Sequence, residues 1–170
     1  MEKINVMVNG SGLLAKQIMT QVLEDERLNL VDYTLVGNDI KEKFSVIGDR
    51  KIKNIKLDKA DEMMKIVMRS YDYYLFAIDC SEGEAVNDNV YHYVINGIHF
   101  VMTKKSIDLM DTKAMILSAI SSVYAVLPPE TGETVNQGVL EVVDFLNDRV
   151  KDNKEQRMFK RNEVPGRSIV

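Results

Sequence analysis

The stretch that most constrains this chain is Val6-Met7-Val8-Asn9-Gly10-Ser11-Gly12-Leu13-Leu14-Ala15. An apolar run ends in Gly-x-Gly-x-x-Ala, and a helical pattern follows at once. Gly10 permits a tight turn out of a buried strand. Gly12 lets the backbone come close to a phosphate group, and Ala15 fills the small position where helix must meet strand. Residues Gly10, Ser11, Gly12, Leu13 and Leu14 would then hold a pyrophosphate on the N–H groups and positive end of the helix. A plain strand–helix turn uses the same residues, so the remaining chain has to decide.

Strand and helix patterns alternate along it. Ile4 to Val8 reads as a strand buried on both faces, and apolar residues at 14, 15, 18, 19, 22 and 23 as a helical stripe. Leu30 to Val36 is a second strand ending in Gly37-Asn38-Asp39. A small β detour follows at 43–57, whose second half, Ile52 to Leu57, alternates as an edge strand with lysines toward water. Asp58 is placed to cap a helix carrying Met63, Met64, Ile66, Val67 and Met68. Strands are then expected at Tyr73–Ile78, His99–Met102 and Val123–Leu127, and helices at Ala85–Ile95, Ser106–Ile120 and Thr134–Val150. Five parallel strands with helices between them make a doubly wound α/β sheet, whose ligands bind beyond the carboxyl ends of the strands. One domain over residues 1–150 is expected, followed by a charged extension at 151–170 that reads as helix and loose tail.

Composition removes several alternatives. The chain of 170 residues is long enough for a real core, and 45% apolar with 28% charged residues is a soluble profile. The net charge of −4 gives no reason to expect nucleic acid, and no apolar run is long enough for a membrane span. Met1-Glu2-Lys3 leads directly into a strand, so no leader is expected. Cys80 is the single cysteine, which fits a reducing, cytoplasmic setting, and with only two histidines beside it no Cys/His zinc site is expected. There is no Gly-Lys-Ser/Thr phosphate loop.

Several strand exits together resemble those of one family, the dihydrodipicolinate reductases of lysine biosynthesis, which reduce their substrate with NADH or NADPH. Val8-Asn9-Gly10 with its glycine turn is similar to that family's opening. Ala77-Ile78-Asp79-Cys80-Ser81-Glu82-Gly83-Glu84-Ala85-Val86 resembles its strand ending in aspartate, before a helix. Gly97-Ile98-His99-Phe100-Val101-Met102-Thr103 is similar to the next strand. Val123 to Gly132 resembles the strand and loop closing over the nicotinamide. The resemblance covers about residues 3 to 150 and implies a Rossmann-like, doubly wound, mostly parallel sheet in a single domain. It departs in three places. The glycine turn is one residue shorter than the family's. The Gly-Thr-Thr loop is here Thr103-Lys104-Lys105. No histidine follows His99, so the family's substrate domain with its His-His…Lys acid is missing.

The resemblance therefore implies a nucleotide-binding half. Asp39, or its neighbour Asn38, would take the ribose hydroxyls of NAD, whereas Lys41 or Lys43 would take the 2′-phosphate of NADP. Asp79, Cys80, Thr103 and Lys104 line the expected nicotinamide side, with Pro129 and Glu130 on the loop above. Each has a plainer reading: Gly-Asn-Asp is a ready turn, adjacent lysines a solvated loop, and a lone cysteine at a strand end is usually packing. Two uses remain open. The chain is an NAD(P)H-dependent reductase completed by a partner subunit, or a non-catalytic, self-associating interaction or regulatory domain. A third reading is a domain for another nucleotide or an acyl-adenosine ligand.

Overall fold

The computed structural model describes residues 3–71, 75–82, 85–103 and 125–126. Five parallel strands form the main sheet in the order β2-β1-β6-β7-β8: β2 (Leu28–Leu30), β1 (Ile4–Asn9), β6 (Leu75–Asp79), β7 (His99–Met102) and β8 (Ala125–Val126). Helix α1 (Leu13–Glu24) packs on one face. Its Ala15, Ile18, Met19 and Val22 meet Val6 and Val8 of β1 with Phe76 and Ile78 of β6. Helices α2 (Ala60–Ser70) and α3 (Ala85–Asn96) cover the other face, with Met63, Met64, Val67, Val90 and Tyr93 against Met7, Ala77 and Phe100. Successive strand residues point to opposite faces, so the uninterrupted apolar runs of β1 and β6 serve both layers at once. Among the described residues, no helix is long and apolar enough to cross a membrane.

Three details differ from the pattern expected of the sequence. The stretch 28–36 is not one strand. Its first part, β2, pairs with β1. The chain then bends at Val31-Asp32, and β3 (Tyr33–Val36) joins a second sheet of order β3-β5-β4, with β4 (Phe44–Ile47) and β5 (Arg50–Lys56). The bend is held from outside the strand, because Asp32 receives Arg50 and the Tyr71 hydroxyl. Second, β5 is the centre of that sheet and not an edge: it pairs with β3 in parallel and β4 in antiparallel. Its Lys51 and Lys53 face water all the same, because on that face the core packing begins only beyond them, at Ile55 and Leu35. Third, Asp58 does not cap α2. It lies in a 3-10 turn, Leu57–Lys59, and its backbone N–H is received by the Asn38 side chain at 3.2 Å. The helices expected at 106–120 and 134–150, and the boundary at 150, lie outside the described residues.

Candidate functional site

The direction of winding reverses between β1 and β6. The chain passes from β1 outward to β2, and later returns to the other side of β1 with β6. A crevice opens where a sheet reverses in this way, beyond the carboxyl ends of the strands. Here those ends are aligned closely. Asn9 stands opposite Asp79, and Asp79 opposite Met102. The Cys80 N–H donates to Asn9 O at 2.8 Å, and the Thr103 N–H to Asp79 O at 3.0 Å. Gly10, Cys80 and Thr103 therefore leave the sheet side by side.

The two glycines of the turn do different work. Gly10 has φ +132°, and a Cβ there would lie 3.1 Å from Cys80 Cβ and from Cys80 O. Only glycine fits, and the reason lies within the protein. Its N–H donates to Leu35 O at 2.9 Å, so that amide is already used, and the turn is tied to β3. Gly12 is the opposite case. It has ordinary extended dihedrals, φ −77° and ψ 178°, and a Cβ there would meet nothing within 4 Å among the described residues. Neither conformation nor internal packing calls for glycine. Gly12 is also the N-cap of α1, with no side-chain capping bond and no acidic residue in the first turn. Among the described residues, the helix thus begins with open donors, a positive dipole end and free space in front of them. Leu13, 74% exposed, stands beside that space, while Ser11 and Leu14 are half-buried.

Beneath the crevice lies a polar network of which only Asp79 is expected from the sequence. The Asn9 side chain is fully buried. Its Oδ1 accepts from the Leu35 N–H at 2.9 Å, and its Nδ2 donates to Tyr93 Oη at 2.6 Å. Tyr93 Oη donates onward to Asp79 Oδ2 at 2.5 Å, and Asn89 Nδ2 reaches the same oxygen at 3.0 Å. Asp79 Oδ1 accepts from the Ser81 N–H at 2.9 Å. Burial pushes the Asp79 carboxyl above its usual range, against the pull of the three donors from Tyr93, Ser81 and Asn89. Burial likewise pushes the Tyr93 hydroxyl well up, and the neighbouring Asp79 adds to it. Two signals in the sequence point to this network: polar residues close the apolar runs Val6 to Val8 and Leu75 to Ile78, and one tyrosine sits on the buried stripe of α3.

The expected site residues fall into three groups. Gly10 to Leu14, Cys80 and Thr103 gather at the reversal point. Asp79 lies under it, enclosed by its own partners, beside Asn9, which was not among the expected residues. Asn38 and Asp39 follow β3, not the main-sheet strand β2, yet they stay beside the turn because Leu35 is bonded to Asn9 and Gly10. Both are exposed, and Asp39 folds back so that its Oδ1 lies 2.5 Å from where a Cβ on Gly37 would stand. Lys104, Pro129 and Glu130 lie outside the described residues. Among those described, no group of three metal-ligating side chains converges.

No protein-family model and no curated protein matches this chain. Among solved structures it is similar to one described as the crystal structure of RSP, a Rex-family repressor, with a TM-score of 0.53 at 17% identity. The match covers 90% of this chain and 63% of that one, so the chain spans less than two thirds of that protein. The fold is Rossmann-like. The likeness extends to the architecture and does not single out the dihydrodipicolinate reductases.

Proposed function

We propose that this chain is a nicotinamide-dinucleotide-binding domain, taking NADH or NADPH with the pyrophosphate on the start of α1. The observation that carries this reading is Gly12, a glycine with ordinary dihedrals and, among the described residues, open space at its Cβ position and an uncapped helix behind it. A backbone-only position facing an uncapped helix start fits a phosphate pair that must approach closely. The N–H groups of Gly12, Leu13 and Leu14 would hold the pyrophosphate. Asn38 or Asp39 would receive the ribose hydroxyls, and Lys41 or Lys43 a 2′-phosphate. Cys80, Thr103 and Lys104, with Pro129 and Glu130, would border the nicotinamide.

When bound, the dinucleotide supplies a hydride. The chain supplies binding and orientation. Asp79 is enclosed and accepts three hydrogen bonds, so it acts as a strut of the crevice floor. That enclosure favours binding over turnover by this chain alone, and a partner subunit would have to bring a proton donor. The narrower relation to dihydrodipicolinate reductase rests on the order of the strand exits. A regulatory domain that senses the nucleotide is the second reading. It is supported by the same enclosure and by the likeness to a protein described as a repressor.

Titration of the chain with NADH and NADPH, followed by nucleotide fluorescence and thermal melting, tests the proposal. Saturation by one of them and a raised melting temperature are expected. At a hundred times the dissociation constant the gain is about 2.7 kcal/mol. No shift with either nucleotide at millimolar concentration refutes it.

A further inference from the structure

The small sheet carries a surface that nucleotide binding leaves unexplained. Between Lys41 and Lys56, five lysines and Arg50 stand against Glu42 and Asp49, a surplus of four positive charges in a chain whose net charge is −4. Two of these cations, Lys51 and Lys53, share a face with exposed apolar side chains, whereas Arg50 lies on the other face and pairs with Asp32. Phe44 is 48% and Val46 63% exposed on β4, and the register sets them beside Lys53 and Lys51 of β5. Side chains directly opposite on neighbouring strands lie on one face of a sheet. The hairpin therefore presents an apolar centre edged by ammonium groups.

A second surface has the complementary character. The outer sides of α2 and α3 enclose an open cleft of about 500 Å³, where Asp61 and Asp88 outnumber the single Lys65. Its apolar wall includes Tyr91, 51% exposed, and Ile95, 54% exposed. His92 lines it too, with Nδ1 3.3 Å from Asp61 Oδ1.

The two surfaces adjoin. Lys51, Lys53 and Ile55 alternate along one face of β5, and the chain passes from there into Leu57, which lines the cleft. At about 3.3 Å per residue, Lys53 lies within about 13 Å of Leu57. A basic apolar patch next to an acidic apolar one on the same side of a molecule is what a two-fold pair needs. Each copy places its hairpin on the other's cleft, and the contact closes without leaving either patch open.

We infer that this chain forms a two-fold dimer in which the β4–β5 hairpin face, Phe44 and Val46 with Lys51 and Lys53, docks on the α2–α3 cleft of the second copy, with Asp61 and Asp88 opposite the lysines. The contact depends on salt, because its ion pairs lie at a solvated rim, while the apolar centre does not.

Sedimentation equilibrium of the full chain from micromolar to sub-millimolar concentration tests this. Wild type is expected to be dimeric and to weaken as salt rises. The variant Lys51→Glu with Lys53→Glu is expected to be monomeric, because its glutamates face Asp61 and Asp88. The variant Asp61→Lys with Asp88→Lys is expected to be monomeric for the converse reason. Mixing the two variants restores a dimer, since glutamates then meet lysines at one contact and the native pairing is retained at the other. Val46→Asp, at a position 63% exposed, breaks the dimer independently, and a melting curve checks that the monomer stays folded. A monomeric wild type, a dimeric single variant, or a mixture that stays monomeric overturns the assignment. So does a monomeric chain whose hairpin lysines instead capture a single-stranded oligonucleotide or phosphatidylserine vesicles.

Discussion

Replacing Gly12 by aspartate separates the needs of the fold from those of a ligand, because the two are driven in opposite directions. The site has extended dihedrals, and a Cβ meets nothing within 4 Å among the described residues, so the side chain enters without strain. Aspartate is among the best N-cap residues, better than glycine by a few tenths of a kcal/mol. Its charge at the uncapped start of α1 adds about 0.3–1 kcal/mol through the helix dipole. The nucleotide-free variant is therefore more stable than wild type by about 0.5–1 kcal/mol, or on the order of 1–4 °C in melting temperature. The same carboxylate stands where a pyrophosphate would sit. Two unit charges about 4 Å apart repel by about 4 kcal/mol in a partly solvated site, which corresponds to roughly a thousandfold loss of affinity. Circular-dichroism melting and NADH fluorescence titration read the two effects separately. A variant that melts lower than wild type contradicts the account of the helix cap. A variant that keeps its NADH affinity places the nucleotide elsewhere.

Gly10→Ala is expected to destabilise by about 1–3 kcal/mol from the backbone alone, with the contact on Cys80 adding to it, and a urea midpoint equal to wild type would refute this. Tyr93→Phe leaves buried Asn9 Nδ2 without a partner and takes one donor from Asp79, so unfolding should cost about 1–3 kcal/mol less, whereas Tyr91→Phe, at an exposed ring, should change stability by under about 0.5 kcal/mol. Asp79 gives stability a definite pH dependence. Burial raises its native value above the unfolded one, so the native state holds the proton to higher pH. The associated stabilisation is complete below the ordinary carboxylate range and is lost as pH rises through the raised native value. Urea midpoints of wild type should therefore fall over that window relative to those of Asp79→Asn, and parallel curves would exclude the assignment.

The main sheet was legible because its strands are apolar on both faces. Nothing but a strand between two helical layers uses Ile4 to Val8 or Leu75 to Ile78 in that way, and glycines mark the exits. The stripe Met63, Met64 and Val67 likewise has one solution. The bend at Val31-Asp32 was not legible, because an apolar, β-branched run has the same pattern whether its pairing partner changes or not. What sets the bend is Asp32 held by Arg50 and Tyr71, residues 18 and 39 positions away. The central place of β5 was hidden for a related reason: alternation reports one wet face, and an edge strand and a half-covered central strand share it. At the crevice, Gly10 and Gly12 were visible as a pair, but their difference was not. It lies in a dihedral angle and in the neighbour Cys80, which is 70 positions away in sequence.

The bent stretch 28–36 belongs to both sheets. Its backbone is paired with β1 up to Leu30 and with β5 from Tyr33, and Leu35 closes the glycine turn through its own N–H and C=O. The small sheet is thus not a module that evolution or an engineer could exchange as a cassette inserted between two helices. Any graft that replaces the hairpin has to inherit the shared strand, and with it the bonds that hold the glycine turn. The two sheets are expected to lose their structure as one cooperative unit, so the surface on the hairpin and the crevice at the turn are bound to a common fate.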